Sequence, residues 1–399
     1  MYKAYCRTFQ GVMKTTSYLL PWREPALLEG ENSLRKLASL IKNQGVEGVL
    51  IITDKGIVSI GLMDEFLEDL YKENIKFITY DKTVPNPTID NIEEAFRMYT
   101  EHNCQGLVAF GGGSAIDCAK GVGARVAKPN KSIPQMKGVL KVLKKLPPLF
   151  AIPTTAGTGS EATLAAVVSN SETHEKYAIM DTSLIPHVAV LDPLLTVKLP
   201  PSTTATTGID ALTHAVEAYI GRSNTKDTTS YCIDAVKLIF ENLYDAYSNG
   251  TNLTARSKMQ KAAYLAGMAF TRAYVGYVHA IAHTLGGFYS VPHGLANAII
   301  LPYVLEYYGD SVHHRLAELA EIVGIADCAD STEQKAEKFI DAIKKLNESM
   351  DIPKKVSGIA DSDIPLMVDR AVTEANPLYP VPRILLKEDL FQLYQLIKE

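Results

Sequence analysis

Five short apolar runs dominate the first half of the chain: GVLIIT (48–53), IKFITY (75–80), GLVAF (106–110), LFAIP (149–153) and VAVLD (188–192). They are rich in β-branched and other apolar residues and lack a polar alternate face. That is the mark of strands buried on both sides, as in a parallel sheet. Helical patterns separate them, at 64–73, at 89–102 and in a small-residue stretch from Ala115. Strands alternating with helices predict a mostly parallel α/β sheet with right-handed crossovers. After Pro200-Pro201 the pattern becomes helical, with periodic segments at 203–220, 231–247, 255–270, 277–288, 313–323 and 332–345. The expectation is two domains. Residues 1–198 form a Rossmann-like α/β domain, and residues 199–399 form an all-α domain.

Three stretches carry weaker expectations. Residues 1–30 are poorly patterned, and the two prolines of LLPWREPALL (19–28) suit an edge strand or a clamp. Residues 33–42 read as a helix capped by Asn32 or Ser33. The lysines of KGVLKVLKK (137–145) recur at roughly helical spacing, so this segment is expected to be the solvated face of a surface helix.

Two of the apolar runs end directly in glycine-rich turns. The third enters Gly111-Gly112-Gly113-Ser114, and the fourth enters Thr154-Thr155-Ala156-Gly157-Thr158-Gly159-Ser160. Glycine lets a backbone approach a ligand without a Cβ in the way, and free N–H groups at a helix start attract phosphate. One such turn is also an ordinary βα connection; two at the carboxyl ends of parallel strands mark the ligand-binding edge of an open α/β sheet. Neither is GxGxxG, and no Gly-Lys-Ser/Thr follows. Asp54, after the first run, is placed to accept hydrogen bonds from an adenosine ribose diol. A carboxylate there repels a 2′-phosphate and favours NAD over NADP.

The helical half holds a cluster of histidines in a chain with only nine. His279 and His283 are four residues apart, as are Asp210 and His214, so each pair shares one helix face. His293 lies between Pro292 and Gly294, a turn-like setting. Asp210, His214, His279 and His293 offer one carboxylate oxygen and three imidazole nitrogens. That set suits Fe²⁺ or Zn²⁺ rather than the oxygen-seeking Ca²⁺ or Mg²⁺.

Composition narrows the function further. Formal net charge is −5, which argues against a nucleic-acid binder. The five cysteines are odd in number, widely spaced and without CxxC, as expected for reduced thiols in the cytoplasm. No apolar run approaches the ~20 residues of a membrane span, and the first residues lack a signal-peptide core.

The motifs GGGSAIDCAK, IPTTAGTGSEAT, TGIDALTHAVEAY and VHAIAHTLGGFYSVPHGLANAIILP together resemble the iron-containing (group III) alcohol dehydrogenases, over nearly the whole chain from about Gly30. The resemblance implies a dehydroquinate synthase-like superfold and a dimer. It implies Asp210, His214, His279 and His293 as metal ligands, and His283 as a non-ligand histidine that relays a proton beside the nicotinamide. It further implies Asp54, Asn86, Gly112, Gly113, Ser114, Thr154, Thr155, Thr158 and Lys176 as cofactor contacts. Two places depart from the family pattern. Arg272-Ala273-Tyr274 stands where members often carry Asn-Ala-Gly, and Tyr303 stands where a histidine is frequent. Both bear on the size and polarity of the substrate pocket.

The resulting expectation is reversible hydride transfer between NAD(H) and a short-chain primary alcohol or diol, with the aldehyde as the oxidised partner. The alternatives are a glycerol-dehydrogenase-like enzyme for secondary alcohols, a dehydroquinate-synthase-like lyase and a metallohydrolase. The lyase needs basic residues around the metal, and none lies in 210–217 or 277–294. The hydrolase leaves the two glycine-rich turns without a use.

Overall fold

The computed structural model describes residues 1–173 and 175–399. The chain divides into two compact units, Pro21–Leu199 and Met1–Leu20 with Pro200–Glu399. The break falls where Pro200 stands as N-cap and Pro201 opens a helix. The first twenty residues depart from the expected 1–198 grouping. They form α1 (Tyr2–Ser17), which packs with the helical unit. Two side chains tie it there: the Arg7 guanidinium donates to Val381 O (2.7 Å) and Pro382 O (2.8 Å), and the Gln10 amide donates to Tyr379 O (2.7 Å). These tertiary bonds supply what the poorly patterned sequence lacks.

In the sheet unit, the strands are β1 (Ala26–Glu29), β2 (Gly48–Ile52), β3 (Lys76–Tyr80), β4 (Gly106–Gly111), β5 (Gly138–Val139), β6 (Leu149–Pro153), β7 (Ala165–Ser169), β8 (Lys176–Met180) and β9 (Val188–Leu191). Six of them form a sheet in the order β1-β9-β6-β4-β2-β3, parallel at every pairing. The proline-flanked β1 is an edge strand, as expected. Alternate residues of each central strand go to different cores. Leu50, Ile52, Leu107, Ala109, Leu149 and Ala151 enter one, while Val49, Ile51, Val108, Phe110, Phe150 and Ile152 enter the other. This period-two split explains why the runs are apolar throughout. The connecting helices are α2 (Leu37–Asn43), which continues a 3-10 turn over Ser33–Lys36, α3 (Lys55–Ser59), α4 (Asp64–Lys72), α5 (Ile89–Glu101) and α6 (Gly113–Ala127). The small residues of α6 allow close packing: a Cβ on Gly121 would stand 2.5 Å from Ile92 Cδ1.

The expected surface helix over 137–145 is absent. Instead β5 pairs parallel with β8, which pairs antiparallel with β7, in a three-stranded sheet. Leu140 and Leu143 have positive φ, 54° and 50°. The main-chain N–H groups of Val142 and Leu143 donate to Asp181 Oδ2 at 3.1 and 2.9 Å, so they are not available to a helix. The lysines are solvated, and Lys137 pairs with Glu175.

The helical unit continues with α7 (Pro201–Ile220), α8 (Lys226–Ser248), α9 (Leu253–Ala273), α10 (Tyr277–Tyr289), α11 (His293–Tyr308), α12 (Asp310–Ile322), α13 (Thr332–Ser349), α14 (Ile364–Ala375) and α15 (Lys387–Ile397). Threonine and serine capping boxes start α8 and α13. The turn-like setting expected of His293 is a helix start, with His293 the first residue of α11 after Pro292. Among the described residues no helix is long and apolar enough to cross a membrane.

Asp181 is 1% exposed, and its other oxygen accepts from the Ser183 N–H and hydroxyl. Asp181→Ala strands four donors in and around the small sheet. The expected cost is about 2–4 kcal/mol, read as a lowered urea midpoint, with Asp181→Asn falling between the two.

Candidate metal centre and nucleotide cradle

Asp210, His214 and Glu217 lie on one face of α7, at positions i, i+4 and i+7. His279 comes from α10, and His293 with Asn297 from the first turns of α11. Asp210 Oδ1 is 3.9 Å from His279 Nε2 and 3.6 Å from His293 Nε2. Ligand atoms ~2.0–2.2 Å from a tetrahedral metal stand roughly 3.3–3.6 Å apart, so the three atoms are close to a coordination triangle. Asp210 and His279 are buried, at 1% and 2% exposure.

The chemistry of this set favours a cation. The Asn297 Nδ2 lies 2.6 Å from Asp210 Oδ1 and 3.2 Å from both His279 Nε2 and His293 Nε2. Three electron-rich atoms thus converge on one amide nitrogen that carries only two hydrogens. Behind His279, Glu217 Oε2 takes the Nδ1 side of the ring at 2.6 Å, which turns the Nε2 lone pair toward Asp210. A carboxylate on the far nitrogen of an imidazole is the usual support for a ligating histidine. Burial pushes the Glu217 carboxyl up to about 7, against the opposing pull of the N–H groups of Gly276, Val278 and His279.

The structure brings Asp210, His279 and His293 together as a group able to hold a metal. His214 stands beside this group rather than in it. Its ring stacks on His279 with centroids 4.3 Å apart and on Phe270 at 4.1 Å. His283 is 6.2 Å from His279 and 5.2 Å from His293, ring to ring, and its Nδ1 meets Glu374 Oε1 at 2.7 Å. The same Glu374 oxygen accepts the Tyr379 hydroxyl at 2.8 Å. Tyr274 closes α9 at φ 65° with Arg272 in its last turn. Tyr303 donates its hydroxyl to Lys354 O.

A second set of residues gathers within the sheet unit. The neighbouring strands β2, β4 and β6 end side by side, which aligns Asp54, Gly111–Ser114 and Thr154. Asp54 caps α3 through Oδ1, and its Oδ2 lies 3.7 Å from where a Cβ of Gly111 would stand. Gly112 is the N-cap of α6. A Cβ on Gly113 would stand 2.7 Å from Thr158 Cγ2, and one on Gly112 would lie 3.4 Å from Thr155. Thr154 N–H donates to Gly111 O at 3.1 Å. Ser114 Oγ accepts the Asn86 N–H at 3.2 Å, and Lys176 Nζ donates to Asn86 Oδ1 at 2.8 Å. These contacts link the nine residues into one neighbourhood at the carboxyl ends of β2, β4 and β6, with Thr154 itself buried.

Beneath it lies a network that the sequence reading missed. Lys120, fully buried on α6, donates to Ser160 Oγ (3.0 Å), Thr163 Oγ1 (2.9 Å) and Ala165 O (2.7 Å). Ser160 donates in turn to Asp117 Oδ1 at 2.6 Å. Burial lowers Lys120 to about 8, with Asp117 and Glu161 pulling the other way. A lone lysine in an apolar helical stretch was the available signal. Glu217, Asn297, Glu374 and Tyr379 were also missed. Of these only Glu217 had a signal, its place on the Asp210–His214 face.

Comparisons with known proteins identify the family of the chain. The family model for iron-containing alcohol dehydrogenase matches residues 25–193, and that for the C-terminal region of the Fe-containing alcohol dehydrogenase family matches 204–397. The chain belongs to the iron-containing alcohol dehydrogenase family. Alcohol dehydrogenase 4 of Saccharomyces cerevisiae is 40% identical over 364 residues, covering 90% of this chain and 93% of that one. NAD-dependent methanol dehydrogenase of Bacillus methanolicus is 35% identical over 384 residues, covering 95% and 98%. The crystal structure of a 1,3-propanediol oxidoreductase superposes with a TM-score of 0.90 at 36% identity, covering 94% of this chain and 99% of that one. Membership of the alcohol dehydrogenase family sets the reaction class as alcohol–aldehyde oxidoreduction and removes the lyase and hydrolase alternatives.

Gly294 is what brings His293 to Asp210. A Cβ there would stand 2.5 Å from Thr206 O and 2.9 Å from Thr206 C, main-chain atoms of α7 that cannot swing aside. Gly294→Ala is expected to push the start of α11 off α7 and weaken metal retention by about 10–100-fold. Metal content after dialysis against a chelator checks this, with NADH binding unchanged.

Proposed function

We propose that this chain is an NAD-dependent dehydrogenase that interconverts short-chain primary alcohols or diols with their aldehydes. In this reading Asp210, His214, His279 and His293 hold Fe²⁺, with Zn²⁺ as the alternative ion. The observation that carries it is the convergence of Asp210 Oδ1, His279 Nε2 and His293 Nε2 on a single amide nitrogen, with Glu217 fixing the His279 ring. His214 is assigned as the fourth ligand because it shares the Asp210 face and lies against His279.

When bound, the metal supplies Lewis acidity toward the substrate oxygen, and the nicotinamide supplies or accepts the hydride. The protein holds, orients and moves protons. Asn297 and Glu217 fix the donor atoms in place. Glu374 occupies the Nδ1 side of His283 and is itself steadied by Tyr379, which leaves His283 Nε2 to give or take the proton. In the sheet unit, the glycines admit the cofactor backbone, Ser114, Thr155 and Thr158 offer hydroxyls, and Asp54 selects for a free ribose diol. A homodimer and a cytoplasmic location belong to the same proposal. β1 is the end strand of the sheet, where among the described residues no further strand pairs with it and a second copy could add, and the five cysteines are free thiols.

The test is an anaerobic assay of metal-stripped protein reloaded separately with Fe²⁺ and Zn²⁺, following NADH loss against short aldehydes, hydroxyaldehydes and ketones. Metal-dependent turnover fastest on aldehydes is the expected result. Preference for ketones would favour the secondary-alcohol alternative, and tight metal binding with no turnover would defeat the proposal. Cofactor choice is tested separately: Asp54→Gly is expected to raise the NADPH-to-NADH ratio of kcat/KM by at least about tenfold.

A further inference from the structure

A cavity of about 400 Å³ opens on the helical unit where four chain segments meet. Lys14 of α1 lines it, with Ile220 and Gly221 at the end of α7, Arg222 just beyond, and Ser311 and Arg315 from α12. Its charge is unbalanced. Lys14 Nζ donates to a neutral carbonyl, Arg222 O, at 3.0 Å. The exposed Arg222 guanidinium makes no hydrogen bond or ion pair among the described residues. Arg315 pairs with Glu318 at 3.1 Å and lies over the Tyr219 ring at 5.0 Å. Behind them Arg7 spends its donors on Gln10 and on the carbonyls of Val381 and Pro382, again neutral partners. Burial and then the nearby Arg222 lower the pKa of Arg7. Among the described residues, only one of these four cations, Arg315, has a carboxylate partner, on a chain whose net charge is −5.

We infer that this cavity is a binding site for a small molecule bearing two or more phosphate charges. Guanidinium groups pair with phosphate oxygens through two parallel N–H bonds, and an ammonium adds a point charge. Repulsion among the cations is relieved only by a multiply charged anion, since a carboxylate would leave most of the excess in place. The volume lies at the lower end of the ~300–1,000 Å³ range of small-molecule sites. The cavity has no histidine or carboxylate in its lining, so it binds rather than reacts. An occupant also acts on the metal-bearing helix. Ile220 and Gly221 end α7, and the Tyr219 hydroxyl donates to Glu318 at 2.7 Å, the carboxylate that Arg315 grips. Drawing Arg315 toward a phosphate loosens that clasp at the foot of the helix that carries Asp210 and His214. The site is therefore assigned to an effector, independently of which alcohol is the substrate.

The experiment is calorimetry on the full-length Zn²⁺-loaded protein, with saturating NAD⁺ to fill the nucleotide cradle. The probes are inorganic phosphate and a hexose bisphosphate, with acetate at equal ionic strength as the control. The expected result is one bisphosphate per chain, bound more tightly than phosphate, with acetate giving no saturable heat. The double variant Lys14→Ala/Arg222→Ala should weaken binding by about tenfold or more while leaving turnover without effector unchanged, and Arg222→Lys should restore part of the affinity. Turnover of the parent protein should shift on adding bisphosphate, and that of the double variant should not. No saturable binding, acetate bound as tightly as the bisphosphate, or binding that the double variant leaves intact would each overturn the assignment.

Discussion

The helical unit depends on one buried carboxylate. Glu217 leaves α7 and accepts the N–H groups of Gly276 and Val278 and the Nδ1 side of His279. It thereby caps α10, whose own N-cap Gly276 has no side chain to do so. The same oxygens fix the tautomer and direction of the His279 ring. Burial alone pushes this carboxyl toward its neutral form, and the N–H groups of Gly276 and Val278 pull it back toward the carboxylate. Helix register, ring orientation and donor-set geometry are therefore one arrangement. Loss of Glu217 would leave two orphan backbone donors and a rotating imidazole at the same point.

The sheet unit solves a comparable problem differently. Its ligand-facing turns are glycine and threonine, residues with little packing of their own. Lys120 and Asp117 hold them from beneath, joining the start of α6 to the segment from Ser160 to Val167. The cradle is soft in sequence and rigid in its support.

Much of this was legible in the sequence, for specific reasons. The six-stranded sheet was readable because both its faces are buried, so β2, β4 and β6 are apolar without interruption. Asp210 and His279 were readable because each stands four residues from a histidine, His214 and His283, on a helical stretch, whereas His293 was readable only as a further histidine downstream and from the family motif. The small sheet around β5 was not. Its residues resemble a helix in spacing, and the decisive bonds come from Asp181, some forty residues downstream. The helical start at His293 was hidden for a similar reason. Pro and Gly read as a turn, whereas Gly294 is there so that α11 can meet the backbone of α7. Asn297, Glu374 and Tyr379 are defined by what they touch across the fold, which a single sequence does not display.

The clasp on α1 bears on how the chain is made. Arg7 and Gln10 find their partners at residues 377–382, so α1 cannot be seated until a segment more than 360 residues downstream has been made. The sheet unit is one uninterrupted stretch, Pro21–Leu199, and can close while synthesis continues. The helical unit cannot, since its two ends are drawn together over more than three hundred residues. It is completed only once residues 377–382 have been made, and until then Arg7 and Gln10 lack the carbonyls that hold α1 in place.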